Sequence, residues 1–265
     1  MKIISHRGGR GFGIDNTLEA MEKAVRAGVR AMETDVRTTT DGRLLVCHDS
    51  TIWGRVVRRT TFEEIRRHSP ERPLLSEVLE RLAGWVTFNI EIKEAPARDV
   101  GRMQDLYGIA EDVVVTSFNI EEIISYRAEF PGAVTGFLYR MPYGRERKLE
   151  RAVEAGAQIL APHFNSIDHA LVREAHGEGL KVYAWTVQRR KRLPQAARVG
   201  SGRSDHRPLP DDVRAAPKHR GPGGPGRLVG VSLWVLAVPA PGRADDVLEA
   251  RMLGLPTQYT GDALG

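Results

Sequence analysis

Short apolar runs alternate with helical periods through the first 187 residues of the chain. Residues 2–5 and 31–36 have the composition of strands, and Leu18, Met21 and Val25 recur on one face of a helix that ends at Gly28. Asn16 is the predicted N-cap of that helix, with Glu19 at the capping-box position. Five further strands are predicted at 86–93, 113–117, 134–138, 158–161 and 181–187, and further helices at about 61–68, 76–83, 98–107, 120–129, 147–155 and 168–178.

Seven strands, each followed by helical sequence, indicate an α/β fold with a parallel sheet. This succession is typical of a TIM (β/α)₈ barrel. The last helix–strand unit is missing or altered after residue 187, because the sequence changes character there.

Residues 188–265 differ in composition from the rest of the chain. They contain 9 of the 15 prolines, 11 of the 27 glycines, 13 of the 39 basic residues and 7 of the 34 acidic residues. Residues 1–187 therefore carry 26 basic and 27 acidic groups, a net charge of −1, although the whole chain is at +5. We predict a barrel domain over 1–187, for which we expect no nucleic-acid partner, and an irregular basic tail over 188–265.

The cellular setting is constrained by a few further features. The first seven residues contain no apolar core of a signal peptide and soon become polar, and the longest apolar run, about 13 residues at 228–240, is too short to span a bilayer. The single cysteine, Cys47, excludes an internal disulfide framework and is expected to be buried in a strand. We expect a cytoplasmic enzyme without a membrane span; its oligomeric state stays open.

Three polar clusters stand at predicted strand ends. They are His6-Arg7-Gly8, the pair Glu33 and Asp35, and the pair Glu91 and Lys93. Residues i and i+2 of a strand project to the same side, so each pair points one way. Barrel enzymes place their chemistry at the carboxyl ends of the strands, and three carboxylates meeting there would require a divalent cation with oxygen ligands.

A second histidine reaches this region through a hairpin. Asp41-Gly42 is a turn signal, and pairing about it places His48 opposite Asp35. His6 and His48 would then face one metal site as general acid and base for a phosphoryl group.

Two cations complete the predicted site. Arg7 and Lys93 could hold a non-bridging phosphate oxygen. Each cluster alone is compatible with an ordinary surface, and His163, after the sixth strand, is expected to be structural. The co-occurrence of the clusters at successive strand ends is what indicates a catalytic site.

A glycine-rich segment at 8–13 superficially resembles a dinucleotide-binding fingerprint. The required spacing fails in both possible frames, at Ile14 in one and at Arg10 in the other. A nicotinamide enzyme is therefore not indicated.

Taken together, the motifs resemble the glycerophosphodiester phosphodiesterase family, within the superfamily of phospholipase C-like phosphodiesterases. The matching stretches, in family order, are Ser5-His6-Arg7-Gly8, Asn16-Thr17, Glu33-Thr34-Asp35-Val36, Thr40-Asp41-Gly42-Arg43-Leu44-Leu45-Val46-Cys47-His48-Asp49, Asn89-Ile90-Glu91-Ile92-Lys93, Ser117-Phe118 and Ala184-Trp185-Thr186-Val187.

The resemblance implies a barrel enzyme that hydrolyses small glycerophosphodiesters to glycerol 3-phosphate and an alcohol. It implies Mg²⁺, Ca²⁺ or Mn²⁺ as cofactor and an attack by the substrate hydroxyl next to the phosphoester, giving a cyclic phosphate that water opens. The implied roles are metal ligand for Glu33, Asp35 and Glu91, acid and base for His6 and His48, and glycerol wall for Phe118 and Trp185.

The chain departs from the family pattern in three places. Ile14-Asp15 replaces the usual Pro-Glu, the segment between Asp49 and Val86 is short, and the family's last strand, Gly-(apolar)-Ile-Thr-Asp-x-x-Pro, is absent. Codons allowed for residue 189 onward, read one base later, can encode a helix followed by Gly-Leu-Ile-Thr-Asp-Leu-Tyr-Pro. We therefore interpret 188–265 as the product of a frameshift near residues 187–189.

Two other interpretations remain. One is a related phospholipase D-like barrel acting on sphingomyelin or lysophospholipids, which shares the histidine, acid and lysine layout. The other is a non-enzymatic module that binds nucleic acid or an anionic surface through the basic residues at 189–227.

Overall fold

The structure is a computed structural model that describes residues 2–140, 144–189 and 231–236. The strands of the described residues are β1 (Lys2–Ser5), β2 (Ala31–Thr38), β3 (Leu44–Val46), β4 (Thr51–Ile52), β5 (Arg55–Val56), β6 (Thr87–Glu94), β7 (Val113–Ser117), β8 (Val134–Tyr139), β9 (Ile159–Pro162), β10 (Lys181–Arg189) and β11 (Val231–Leu236). The α-helices are α1 (Leu18–Arg26), α2 (Phe62–His68), α3 (Leu75–Leu82), α4 (Ala97–Tyr107), α5 (Ile120–Glu129), α6 (Arg145–Glu154) and α7 (His169–Gly177).

The predicted α/β barrel is confirmed. β1, β2, β6, β7, β8, β9 and β10 are neighbours in that order and every pairing among them is parallel. Each helix from α4 to α7 connects two successive strands of this sheet. The carboxyl ends of the seven strands therefore lie at one mouth of the barrel.

The barrel is closed by a strand from the tail. β11 lies between β1 and β10 and pairs with both, with Leu236 opposite Lys2 on one side and opposite Tyr183 on the other. A barrel without its last helix–strand unit would leave the facing edges of β1 and β10 unpaired, and the structure shows instead that β11 pairs with both edges. Both pairings are antiparallel, whereas the eighth strand of a regular barrel is parallel to its neighbours. The frameshift hypothesis stays a prediction, and the rest of the tail (190–230 and 237–265), with its basic runs, lies outside the described residues.

The core lies on both sides of the sheet. Leu75, Val78, Leu79 and Leu82 form the apolar stripe of α3 and are almost fully buried against the outer face of the strands. Inside the barrel, side chains from β1, β8, β9 and β10 contact one another. Burying one such Leu or Val side chain stabilises the fold by about 1.5–3 kcal/mol. No helix of the described residues is long and apolar enough to cross a membrane.

The hairpin that carries His48 differs in register from the prediction. Val36 pairs with Val46 and Thr38 with Leu44, and the Cys47 amide donates to the Asp35 carbonyl at 3.0 Å. Cys47, rather than His48, is therefore opposite Asp35. The cause is the loop, which spans five residues, 39–43, instead of the two-residue turn that we predicted. Cys47 is buried, as expected.

Candidate active site

Three carboxylates meet at the mouth of the barrel. Glu33 and Asp35 lie on β2, Glu91 lies on β6, and the parallel register sets Asp35 directly beside Glu91. The three side chains are buried, and one oxygen of each lies within 4.8 Å of the others. The structure thus brings together the three residues predicted as metal ligands, and the β2–β6 register is what does so.

The electrostatics of this triad are unfavourable without a countercharge. Burial, followed by the nearby charges of Asp35 and Glu91, raises the pKa of Glu33 well above its usual value. Burial and then Asp35 raise the pKa of Glu91 to about 8. Three ionised carboxylates so close together, away from water, repel one another strongly.

The donor set fits a hard divalent cation. Oxygen ligands are those that Mg²⁺ and Ca²⁺ prefer, and Oε1 of Glu33 is buried without a hydrogen-bond partner. Lys93 supplies one positive charge, with Nζ 2.5 Å from Oε1 of Glu91 and 3.4 Å from Oδ1 of Asp35. Burial alone would lower the pKa of Lys93, but the carboxylates of Glu91 and Asp35 outweigh it and raise that pKa. One ammonium group against three carboxylates leaves negative charge for a cation to balance.

Asn16 holds one of the three carboxylates and was missed by the sequence analysis. Its side-chain amide donates to Oδ2 of Asp35 at 2.8 Å and accepts the hydroxyl of Thr34 at 2.9 Å, with all three side chains buried. The helix N-cap is Thr17, whose hydroxyl accepts from the Ala20 amide, so the prediction of Asn16 as N-cap is wrong. Asn16 has a φ of +57°, in the left-handed region that asparagine adopts more readily than most residues.

His6 and Arg7 lie on the turn that follows β1. The Arg7 backbone amide donates to Oε2 of Glu33 at 2.8 Å, and Nε2 of His6 is 3.8 Å from the same oxygen. Burial, with a smaller effect of the Arg7 charge, lowers the pKa of His6 to about 3, so His6 is neutral at physiological pH. The Arg7 guanidinium pairs with Asp15 at 3.3 Å. The turn packs closely on α1 because Gly8 has no side chain: a Cβ there would lie 2.3 Å from the Met21 methyl group.

His48 lies beside a cavity that it shares with the Arg7 side chain. Its Nδ1 is 2.8 Å from Oδ1 of Asp49, and this hydrogen bond lowers the pKa of Asp49. The Asp49 carboxylate thereby fixes the orientation of the His48 ring. The backbone carbonyl of His48 accepts from Nε of Arg37 at 3.0 Å, which fixes the segment to β2.

Aromatic side chains form a second part of the mouth. The rings of Phe118 and Trp185 pack edge to face at 5.2 Å, and the ammonium of Lys93 lies 5.2 Å from the Phe118 ring centre. Arg140 was not among the predicted site residues, and its guanidinium carbon is 5.5 Å from the Trp185 ring centre. Arg140 directly follows the last residue of β8, so its position at a strand end could have indicated that it lies at the barrel mouth. His163, which we expected to be structural, contacts Trp185 ring to ring at 5.1 Å.

Because of the raised pKa of Glu91, we predict that the metal-free protein loses stability between pH 6.5 and pH 8. The folded state keeps a proton on Glu91 up to about pH 8, whereas the unfolded carboxyl releases it near 4.5, so folding weakens as the pH rises through that range. The shifted pKa of His6 affects stability only below pH 6.5, and that of Lys93 only above pH 10.5. Neither therefore offsets the loss of stability that Glu91 causes between pH 6.5 and pH 8.

Thermal denaturation in chelator at both pH values checks this prediction. The melting temperature should be lower at pH 8, and Glu91→Gln should flatten the dependence. A higher melting temperature at pH 8 in the unsubstituted chain would contradict the arrangement of charges described above.

Sequence and structure comparisons point to one family. The Glycerophosphoryl diester phosphodiesterase family matches residues 6–207. A glycerophosphodiester phosphodiesterase from Caldanaerobacter subterraneus subsp. tengcongensis is 30% identical over 222 residues, which are 75% of this chain and 90% of that protein.

Solved structures agree with this match. A glycerophosphodiester phosphodiesterase from Thermotoga maritima aligns with a TM-score of 0.58 at 25% identity, over 69% of this chain and 84% of its own. A protein from Silicibacter pomeroyi DSS-3 aligns with a TM-score of 0.63 at 28% identity, over 69% of this chain and 82% of its own. With the acidic triad at the mouth of an α/β barrel, these matches show that the chain belongs to the glycerophosphoryl diester phosphodiesterase family.

Proposed function

We propose that this chain hydrolyses glycerophosphodiesters to glycerol 3-phosphate and an alcohol, using a divalent metal and a pair of histidines. The observation that carries the proposal is the buried triad of Glu33, Asp35 and Glu91, which lies beside Lys93 and His6 at the barrel mouth. The relative from Caldanaerobacter is named a glycerophosphodiester phosphodiesterase, which supports the same reaction.

The triad would hold the metal through carboxylate oxygens. When bound, Mg²⁺, Ca²⁺ or Mn²⁺ would draw negative charge from the phosphoryl oxygens and position the diester. Asn16 fixes Asp35 for this role, and the Arg7 amide fixes Glu33, so two of the three ligands are oriented by hydrogen bonds to other parts of the chain.

The chain's own residues supply the remaining chemistry. The Phe118 and Trp185 rings would hold the glycerol, which leaves the alcohol on the opposite side, toward His48. His6 takes the proton from the glycerol hydroxyl as it attacks phosphorus, and His48 gives a proton to the departing alcohol oxygen. Water then opens the cyclic phosphate with the two histidines in reversed roles, and the Lys93 ammonium would bind a non-bridging oxygen.

Phosphorus NMR of the purified chain with glycerophosphocholine tests the proposal. We expect a glycerol 3-phosphate signal in the presence of divalent metal and none after chelation. Phosphocholine as the product, or equal rates with and without metal, would refute the proposed reaction. Lysophosphatidylcholine in a parallel sample tests the phospholipase D-like alternative.

A further inference from the structure

The pairing of β2 with β6 contains an irregularity close to the acidic triad. Val36 is opposite Ile92, but the next residue of β2, Arg37, is opposite Glu94 rather than Lys93. β6 therefore has one extra residue at this point, as in a β-bulge, and bulges beside active sites re-aim side chains or end a pairing. In an unbroken register Arg37 would be opposite another cation, whereas the extra residue sets it opposite a carboxylate.

The ion pair that results belongs to a small network. Nη1 of Arg37 donates to Oε2 of Glu94 at 2.6 Å, and the Arg37 side chain is only 13% exposed. The other carboxylate oxygen of Glu94, Oε1, is 3.4 Å from Nε of Arg58, in the segment that follows β5. Because the Arg37 guanidinium is largely shielded from water, this charge-assisted bond is stronger than a pair between two exposed side chains.

The same guanidinium holds the backbone of His48. Nε of Arg37 donates to the His48 carbonyl at 3.0 Å. The pairing of β2 with β3 ends at Val46, and the Cys47 amide adds one more bond, to the Asp35 carbonyl at 3.0 Å. His48 is the next residue along the chain, so the side chain of Arg37 extends the attachment of this segment to β2 by one further residue.

Two restraints act on different parts of His48. The bond between its Nδ1 and Oδ1 of Asp49, at 2.8 Å, orients the ring, but Asp49 is the adjacent residue and moves with the same segment. Arg37 belongs to a barrel strand and fixes the segment itself. A catalytic group that is misplaced by about 1 Å can cost about 10²-fold in rate, so the second restraint matters for an acid.

We propose that Arg37 is a positioning residue for His48 and that Glu94, set opposite Arg37 by the extra residue of β6, orients its guanidinium. The planar guanidinium presents several donors in a fixed geometry, so one group binds the Glu94 carboxylate and the His48 carbonyl at once. This proposal rests on the proposed function, in which His48 gives a proton to the departing alcohol oxygen.

The test uses substitutions in the full chain with glycerophosphocholine as substrate. Arg37→Met keeps a long unbranched side chain without a donor, and we expect kcat to fall by about 10- to 100-fold with KM within about twofold, since His48 acts in the transition state. Glu94→Ala should lose less, and Glu94→Gln, which keeps an acceptor, should recover most of that loss. Arg67→Met breaks an exposed pair with Glu63 (2.8 Å) on α2 and is the matched control, with unchanged kcat.

The His48→Ala background separates positioning from a general structural role. If Arg37 acts through His48, Arg37→Met should change kcat by less than about twofold in that background. An undiminished loss there, a weaker metal affinity in Arg37→Met, or an unchanged kcat in Arg37→Met alone would overturn the proposal. Should Arg37→Met fail to fold, the Glu94 variants decide, and an unchanged kcat in Glu94→Ala would overturn it.

Proton–nitrogen NMR of the histidine rings gives a readout that does not need turnover. The His48 signal, identified by its loss in His48→Ala, should shift or broaden in Arg37→Met and stay unchanged in Arg67→Met. A His48 signal that Arg37→Met leaves unaffected would contradict the positioning role. If the chain cleaves no glycerophosphodiester but the His48 signal responds to Arg37→Met, only the proposed function fails.

Discussion

Replacing either histidine with alanine should slow turnover by about 10²–10⁴, the usual cost of a lost general acid or base. His6→Ala removes a side chain that lies 3.8 Å from a proposed metal ligand, and His48→Ala removes one that lines the cavity next to Arg7. Neither is assigned as a metal ligand, so metal affinity should survive in both variants. Steady-state kinetics with glycerophosphocholine, alongside metal titration, measures both quantities.

His176→Ala, on the outer helix α7, is the matched control and should behave as the unsubstituted chain. Near-normal turnover in either active-site variant would remove that histidine from the mechanism. Loss of metal binding together with turnover in His6→Ala would instead make His6 a ligand.

A one-base correction of the reading frame near residues 187–189 should raise both the thermal stability of the chain and its rate of hydrolysis. In the chain as written, β11 closes the barrel with two antiparallel pairings, whereas the eighth strand of a regular barrel is parallel to its neighbours. The corrected chain would supply a parallel strand and its preceding helix. We expect it to melt cooperatively at a higher temperature and to hydrolyse glycerophosphodiesters faster.

The chain as written and the corrected chain should be expressed and compared by calorimetry and by the same hydrolysis assay. Equal stability and equal rate would show that residues 188–265 as written close the fold adequately, and the frameshift hypothesis would be wrong. Independent reads of the gene with an intact frame would have the same consequence.

Most elements of the fold followed from apolar periodicity. The helix predicted at 120–129 and the strand at 113–117 occur at those positions, because both have clear patterns and capping or turn residues at their ends. The β4–β5 hairpin was missed since its Trp-Gly turn is not a sequence that favours such a turn. β11 was not predicted as a strand of the barrel. Its place in the sheet depends on the free edges of β1 and β10, and the local sequence of an apolar run does not specify which edges it will pair with.

The site was predictable where chain geometry alone brings residues together. Carboxyl ends of parallel strands meet at one mouth, so Glu33, Asp35 and Glu91 could be grouped from their positions. The role of Asn16 could not be predicted, because an asparagine just before a helix is usually an N-cap. The neighbouring Thr17 is an equally good N-cap and takes that position in the structure. The hairpin register was off by one residue because Thr39 closes a longer loop, with its amide donating to the Arg43 carbonyl at 3.0 Å.

The central claim is that a buried acidic triad holds a divalent metal in a phosphodiesterase site. Isothermal titration of Mg²⁺, Ca²⁺ and Mn²⁺ into the metal-free chain and into Glu33→Gln tests it most directly, with Glu63→Gln on the exposed face of α2 as the matched control. The account predicts binding to the unsubstituted chain and to the control, and an affinity at least about tenfold weaker in Glu33→Gln, since even the outer partners of metal ligands contribute that much. Equal metal affinity in all three proteins would contradict it.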